Sequence, residues 1–140
     1  MVGGRLRVGV VGVGHLGRHH ARILAGLDDV ELVGVADSDL DRARAIAGEY
    51  GGEGLTDAAG LVGRVDAVTI AAPTEAHHAL ARLFLSRGVP TLVEKPLART
   101  LEEADDLVAL AAATGTPLGV GHTERFNPAV TAALALITAP

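Results

Sequence analysis

The chain has 140 residues, 49% apolar but only 2% aromatic, and a formal net charge of −5. That length makes one domain with a core of Ala, Val, Leu and Ile, and the acidic balance argues against a nucleic-acid partner, which calls for a basic face. The lack of cysteine excludes disulfides, thiolate zinc sites and thiol nucleophiles, and it is compatible with the cytoplasmic location we expect.

Arg5-Leu6-Arg7 and the apolar residues after it mimic the start of a signal peptide. The run breaks at Gly12 without a cleavage site, so it reads as a strand over Leu6–Val11. A helix is expected over His15–Ala25, a strand over Val30–Ala36 and a second helix over Leu40–Tyr50. A short strand near Gly54–Thr56 and a weaker helix over Asp57–Val62 follow. The pattern then runs strand Ala67–Ala71, helix Glu75–Arg87, strand Thr91–Val93, helix Leu101–Ala113 and strand Leu118–Val120. Thr100 with Glu103 fits a capping box, and Asn127-Pro128 sets a cap before a proline at the first helical position. The strands are unbroken Val/Ile/Leu/Ala runs rather than alternations, as expected when both faces are buried. The fold class is therefore α/β, a doubly wound parallel sheet. No run approaches the ~18 apolar residues of a membrane span, so no membrane partner is expected.

Gly12-Val13-Gly14-His15-Leu16-Gly17 satisfies G-x-G-x-x-G, directly after the first strand and at the opening of the first helix. In that setting Gly12 allows the tight turn, Gly14 the close approach of a pyrophosphate and Gly17 the packing of helix on strand. The helix N-terminus offers N–H groups and a favourable dipole to an anion, with His15 and Leu16 in the same loop. Asp37 closes the second strand, where a carboxylate accepts hydrogen bonds from the hydroxyls of an adenosine ribose and repels a 2′-phosphate. Ser38-Asp39 brings no adjacent arginine, which favours NAD over NADP; Arg42 lies one helical turn on. The plainer alternative is a strand-to-helix turn with Asp37 as a helix cap.

Of the 12 cationic residues only Lys95 is a lysine, within Val93-Glu94-Lys95-Pro96. An amine can lose its proton near neutral pH when desolvated, and a guanidinium cannot. Pro96 biases Lys95 towards an extended backbone. Ala71-Ala72-Pro73-Thr74-Glu75-Ala76-His77 is the other segment expected at the ligand crevice. No His pair has metal spacing supported by carboxylates, so no metal is expected.

Together the glycine loop, Asp37, Pro-x-x-x-His at Pro73 to His77 and Glu-Lys-Pro at Glu94 to Pro96 resemble the Gfo/Idh/MocA family of NAD(P)-dependent oxidoreductases. The resemblance runs from Leu6 to about Val130. It implies a Rossmann-type domain over residues 1–125 and, over 126–140, the start of a helix leading to a second, substrate-binding domain. It places Lys95 beside the nicotinamide and substrate as the catalytic ammonium. It also lists Ala72, Pro73, Thr74, His77 and Glu94 on the cofactor side; Glu94 either holds the ammonium or contacts the cofactor. His19 and His20 read as structural, and His78 as facing packing or water.

Gly121-His122-Thr123-Glu124-Arg125-Phe126-Asn127-Pro128 resembles a stretch of the subgroup acting on nucleotide-linked amino sugars such as UDP-N-acetylglucosamine. It implies that His122, Arg125 and Asn127 face the substrate; Asn127 as a helix cap and Arg125 paired with an acid are the alternatives. The implied function is hydride transfer between NAD and a sugar or nucleotide-sugar hydroxyl or carbonyl, with homo-oligomers formed through the second domain. The alternative is an isolated NAD(H)-binding module without turnover.

Overall fold

The computed structural model of the protein describes residues 4–137. Six strands form one sheet: β1 (Leu6–Val11), β2 (Val30–Ala36), β3 (Glu53–Leu55), β4 (Ala67–Ile70), β5 (Thr91–Glu94) and β6 (Leu118–Gly121). Five helices connect or follow them: α1 (Gly17–Ala25), α2 (Leu40–Tyr50), α3 (Thr74–Leu85), α4 (Leu101–Thr114) and α5 (Pro128–Ile137). The strands pair in the order β3-β2-β1-β4-β5-β6, and every pairing is parallel. This is the doubly wound arrangement expected from the unbroken apolar runs. The chain winds outward from β1 to one edge, returns to the middle and winds outward again.

Local chemistry sets the helix boundaries. Asp39 caps α2 by accepting a hydrogen bond from the Arg42 N–H at 3.0 Å. Thr100 Oγ1 accepts from the Glu103 N–H at 3.2 Å; the Glu103 carboxylate takes the Arg99 N–H at 3.1 Å, one residue outside the expected box. Gly115, with φ +64°, ends α4 in the left-handed conformation that glycine adopts without steric cost. The helix expected over Asp57–Val62 is a single 3-10 turn, Ala58–Leu61. Helix α1 begins at Gly17 rather than His15, because residues 14–16 form the turn leading into it. Residues 138–140 of the expected 126–140 helix lie outside the described residues.

The sheet divides two apolar layers. Val10 and Val35 pack with Ala21, Ala43 and Ala47 of α1 and α2 on one face. Val68, Ile70 and Val93 pack with Phe84, Leu85 and Leu107 of α3 and α4 on the other. With no tryptophan and a single buried phenylalanine, the second layer centres on Phe84 at 0% exposure. Burying one such side chain contributes about 1.5–3 kcal/mol. The α1 side of β5 and β6 is covered less completely: Ile23, Leu92 and Phe126 are 52%, 41% and 86% exposed. No helix among the described residues is long and apolar enough to cross a membrane.

Candidate cofactor-binding and active site

The strand order reverses between β1 and β4, and loops from the two halves of the sheet part there. A crevice of about 600 Å³ opens at the C-terminal ends of β1, β2, β3 and β4. That is the place and size at which parallel α/β sheets hold a ligand. The expected residues Gly14, His15, Asp37, Ser38, Ala72 and Pro73 line it, as does Arg42. Leu16 lies exposed in the turn before α1, and Thr74 is the first residue of α3; neither is part of the crevice wall.

The three glycines of the loop are set apart by what surrounds them. Gly12 has φ +81°, and a Cβ there would stand 2.5 Å from the Ala72 nitrogen. A Cβ on Gly17 would come within 1.7 Å of the Gly12 carbonyl oxygen. The loop therefore closes only with glycine at both positions. Gly14 differs: a Cβ there would meet nothing within 4 Å. The fold itself does not need glycine at 14, and the open space before it belongs to the crevice. Among the described residues, none accepts a hydrogen bond from the N–H of Gly14, His15 or Leu16. Helix α1 has no side-chain cap and no acid in its first turn. These amides and the helix dipole together form an anion-binding end that no group among the described residues fills. A dinucleotide's pyrophosphate fits this donor set.

Asp37 lies at the other end of the crevice and is 8% exposed. Its Oδ1 accepts from the Asp39 N–H at 2.9 Å and Arg42 Nη2 at 2.8 Å. Its Oδ2 accepts from the Val13 N–H at 2.9 Å and Arg42 Nε at 3.2 Å. Burial pushes the Asp37 carboxyl up, but the Arg42 guanidinium and the two backbone N–H groups outweigh it and hold the carboxyl below its ordinary value. The Val13 contact ties the glycine loop to the end of β2. The sequence reading found no arginine adjacent to Asp37; the structure brings one in from the first turn of α2.

Lys95 follows β5 on the same edge of the sheet. It is exposed, and its ammonium has no ion pair or hydrogen bond among the described residues. The Lys95–Pro96 peptide is cis. Among the described residues Glu94 makes no ion pair with this ammonium, and it does not line the crevice. The carboxylate turns to the α1 side of the sheet, where Oε1 meets His20 Nε2 at 3.0 Å and Oε2 accepts the Lys95 N–H at 3.3 Å. His20 Nδ1 lies 2.8 Å from Thr69 Oγ1, completing a link from α1 through β4 to β5. Gly121 of β6 stands directly against this carboxylate: a Cβ there would lie 2.7 Å from Glu94 Cδ. His20 thus has a specific partner that nothing in its spacing pointed to.

His77 is held by the backbone on both sides. It is 1% exposed, with Nδ1 2.8 Å from the Pro96 carbonyl and Nε2 2.8 Å from the Ala72 carbonyl. Both ring nitrogens are spent on backbone, so His77 stitches the loop after β4 to the loop after β5 and presents no atom to the crevice. His78 is half-buried, and its Nε2 meets Asp106 of α4 at 2.7 Å.

A second cavity, about 540 Å³, is lined by Lys95, His122, Glu124 and Arg125 with Val130 and Leu134 of α5. The structure thus brings His122 and Arg125 to Lys95, from which both are distant in sequence. Arg125 has no acid partner among the described residues. Asn127 caps α5: its Oδ1 accepts the Ala129 N–H at 2.9 Å and its Nδ2 donates to Glu124 Oε2 at 2.9 Å.

A parallel sheet of this order, with a glycine turn at its switch point and an acid closing the second strand, defines a Rossmann-type dinucleotide-binding domain. The chain belongs to the Gfo/Idh/MocA family: the family described as an oxidoreductase family with an NAD-binding Rossmann fold matches residues 6–122. It is 40% identical over 125 residues to the UDP-N-acetylglucosamine 3-dehydrogenase of Acidithiobacillus ferrooxidans, covering 89% of this chain and 39% of that enzyme. Inositol 2-dehydrogenase 1 of Saccharopolyspora erythraea is 42% identical over 129 residues, covering 88% of this chain and 38% of that protein. The chain therefore spans about two-fifths of the length of these relatives. A solved structure of the Acidithiobacillus enzyme superposes with a TM-score of 0.87 at 37% identity, over 96% of this chain and 44% of that one. A 3-ketoreductase from Actinomadura kijaniata in complex with TDP-benzene and NADP superposes with a TM-score of 0.86 at 26% identity, over 95% of this chain and 43% of that one.

Proposed function

We propose that this chain is the cofactor-binding portion of an NAD-dependent oxidoreductase acting on a CH–OH group of a sugar or nucleotide sugar. The observation that carries this reading is the alignment of two sites on one edge of the sheet. An anion-binding turn and a buried carboxylate bound the first, and an unpaired lysine marks the second. The bound nicotinamide supplies the hydride donor or acceptor.

The chain's own residues supply orientation and charge. The N–H groups of Gly14, His15 and Leu16 bind the pyrophosphate, and Asp37 takes the adenosine ribose. With that end held, Lys95 at the end of β5 would stand on the nicotinamide side of the cofactor. Lys95 donates a hydrogen bond to the reacting oxygen and stabilises the negative charge that develops on it. Its reach is set from behind, because Glu94 fixes the Lys95 backbone through its N–H and His77 fixes the Pro96 carbonyl. His122 and Arg125 lie where a substrate beside Lys95 would meet them, and Arg125 suits a phosphate-bearing sugar.

Residues 1–125 form the cofactor domain in this reading, and α5 leads into a second domain that covers the Lys95 cavity and carries the contacts between subunits. The greater length of the relatives supports that layout. The amino-sugar nucleotide is the favoured substrate class, supported by the Acidithiobacillus relative.

Calorimetric titration of the 140-residue chain with NADH tests the proposal. Saturable binding is expected, with Lys95→Ala shifting the affinity by no more than a few-fold. A folded chain that takes up no NADH would overturn it.

A further inference from the structure

Glu94 is a buried carboxylate, 5% exposed, in an apolar groove of about 320 Å³ bounded by Ile23, Leu24, Leu92, Val120 and Phe126. A charge in such surroundings is costly unless it is paired. His20 of α1 supplies the pair through Nε2 at 3.0 Å, and its Nδ1 stands 2.8 Å from Thr69 Oγ1. A carboxylate only accepts, so Nε2 donates to it; a hydroxyl serves the other ring nitrogen in either role. Among the described residues no buried side-chain polar atom lacks a partner, and these three groups complete one another.

Stability alone does not call for this arrangement. Replacing a buried charged pair by apolar side chains is often neutral or stabilising, and the groove around this one is already apolar. The three side chains line neither the crevice nor the cavity beside Lys95, so they meet no ligand there directly. What they reach is Lys95 itself. His20 holds Oε1 of Glu94, and Gly121 of β6 closes the other side, with room for no Cβ within 2.7 Å of the carboxyl carbon. Oε2 is left to accept the Lys95 N–H at 3.3 Å.

We propose that His20, steadied by Thr69, is a positioning residue for Lys95: by pinning Glu94 on the α1 side of the sheet it fixes the backbone from which the ammonium projects. The proposal rests on the reading of Lys95 as the group that meets the reacting oxygen. A displacement of about 1 Å at such a group costs on the order of a hundredfold in rate, so a rigid support behind it has a use that packing alone does not.

The composition of the chain provides the test, because Lys95 is its only lysine. Labelling with [15N]lysine yields one backbone amide signal, that of the N–H donated to Glu94. His20→Leu should move that signal and speed its exchange with solvent at least about tenfold, the scale of one hydrogen bond to a charged group. His20→Gln, which can still donate to Glu94 and accept from Thr69, should keep the exchange within a few-fold of the wild type. Thr69→Val, close in shape, should shift the signal in the same direction by less. Phe84→Leu loosens the opposite core layer and should lower the melting temperature while leaving the signal in place; circular dichroism establishes that all four fold. A signal unmoved in both His20→Leu and Thr69→Val, or moved as far by Phe84→Leu, overturns the role of His20 and leaves the cofactor site standing. NADH affinity, measured by calorimetry, should stay within a few-fold in His20→Leu; a loss beyond about tenfold means that His20 acts on the glycine loop through α1, and it too overturns the role. A folded wild-type chain that takes up no NADH overturns instead the reaction that the support would serve.

Discussion

Gly14→Ala separates the needs of the fold from the needs of the ligand. The backbone at Gly14 does not have positive φ, and an added Cβ meets nothing within 4 Å. The substitution removes freedom from the unfolded chain without a clash, a gain of about 0.4–1 kcal/mol. For a domain of this size that corresponds to a melting temperature unchanged or raised by up to about 4 °C. The new methyl group, however, stands in the crevice where a pyrophosphate must approach the loop amides. Losing such charge-assisted hydrogen bonds should lower NADH affinity at least about tenfold. Gly17→Ala is the control, since its Cβ would lie 1.7 Å from the Gly12 carbonyl oxygen. It should cost about 1–3 kcal/mol or more and lower the melting temperature by several degrees. Differential scanning fluorimetry and NADH titration on the same preparations decide the matter. The reasoning fails if Gly14→Ala melts as low as Gly17→Ala, or if it binds NADH like the wild type.

Gly121→Ala should destabilise the chain by about 1–3 kcal/mol in urea, because the Cβ would stand 2.7 Å from a Glu94 carboxylate that is buried and pinned by His20. Most of that cost should vanish in a Glu94→Ala background; an equal cost in both backgrounds would refute the contact. For Asp37, a folded value held below the ordinary one means that its contribution is complete above the unfolded pKa of about 4. That contribution is lost as pH falls through the lower folded value. The gap in melting temperature between wild type and Asp37→Asn should therefore hold steady from about pH 8 to 5 and shrink below about pH 4. A gap that closes above about pH 6 would contradict the bonds assigned to the carboxylate.

The strands were legible because parallel strands buried on both faces have no polar alternation to obscure them. The glycine loop was legible because its context repeats a known physical solution. Side-chain direction was the harder part. Glu94 and Lys95 are neighbours at a strand end, and the two-residue period sends neighbours to opposite faces. Glu94 accordingly turns to the α1 side, where His20 meets it, whereas adjacency in one motif invited treating the two as a pair. His20 and Gly121 gave no local signal, since their link to Glu94 joins three elements that only the tertiary fold assembles. Arg42 was visible as a charge one turn along α2; what sequence could not supply was the bend between β2 and α2 that folds it back onto Asp37. Asn127 shows the reverse case, where the cap signalled by local sequence is formed in the structure.

The place of β1 in the sheet has a consequence during synthesis. It is the first of the six strands to be made and lies at the centre, with Val8 paired to Leu32 on one side and to Ala67 on the other. At about 5–20 residues per second, the 59 residues from Gly9 through Ala67 take roughly 3–12 seconds to emerge. Throughout that interval one edge of an apolar strand is finished, unpaired and open to any other nascent chain. The strand that anchors the completed domain is thus the one most exposed to misassociation while the domain is being made.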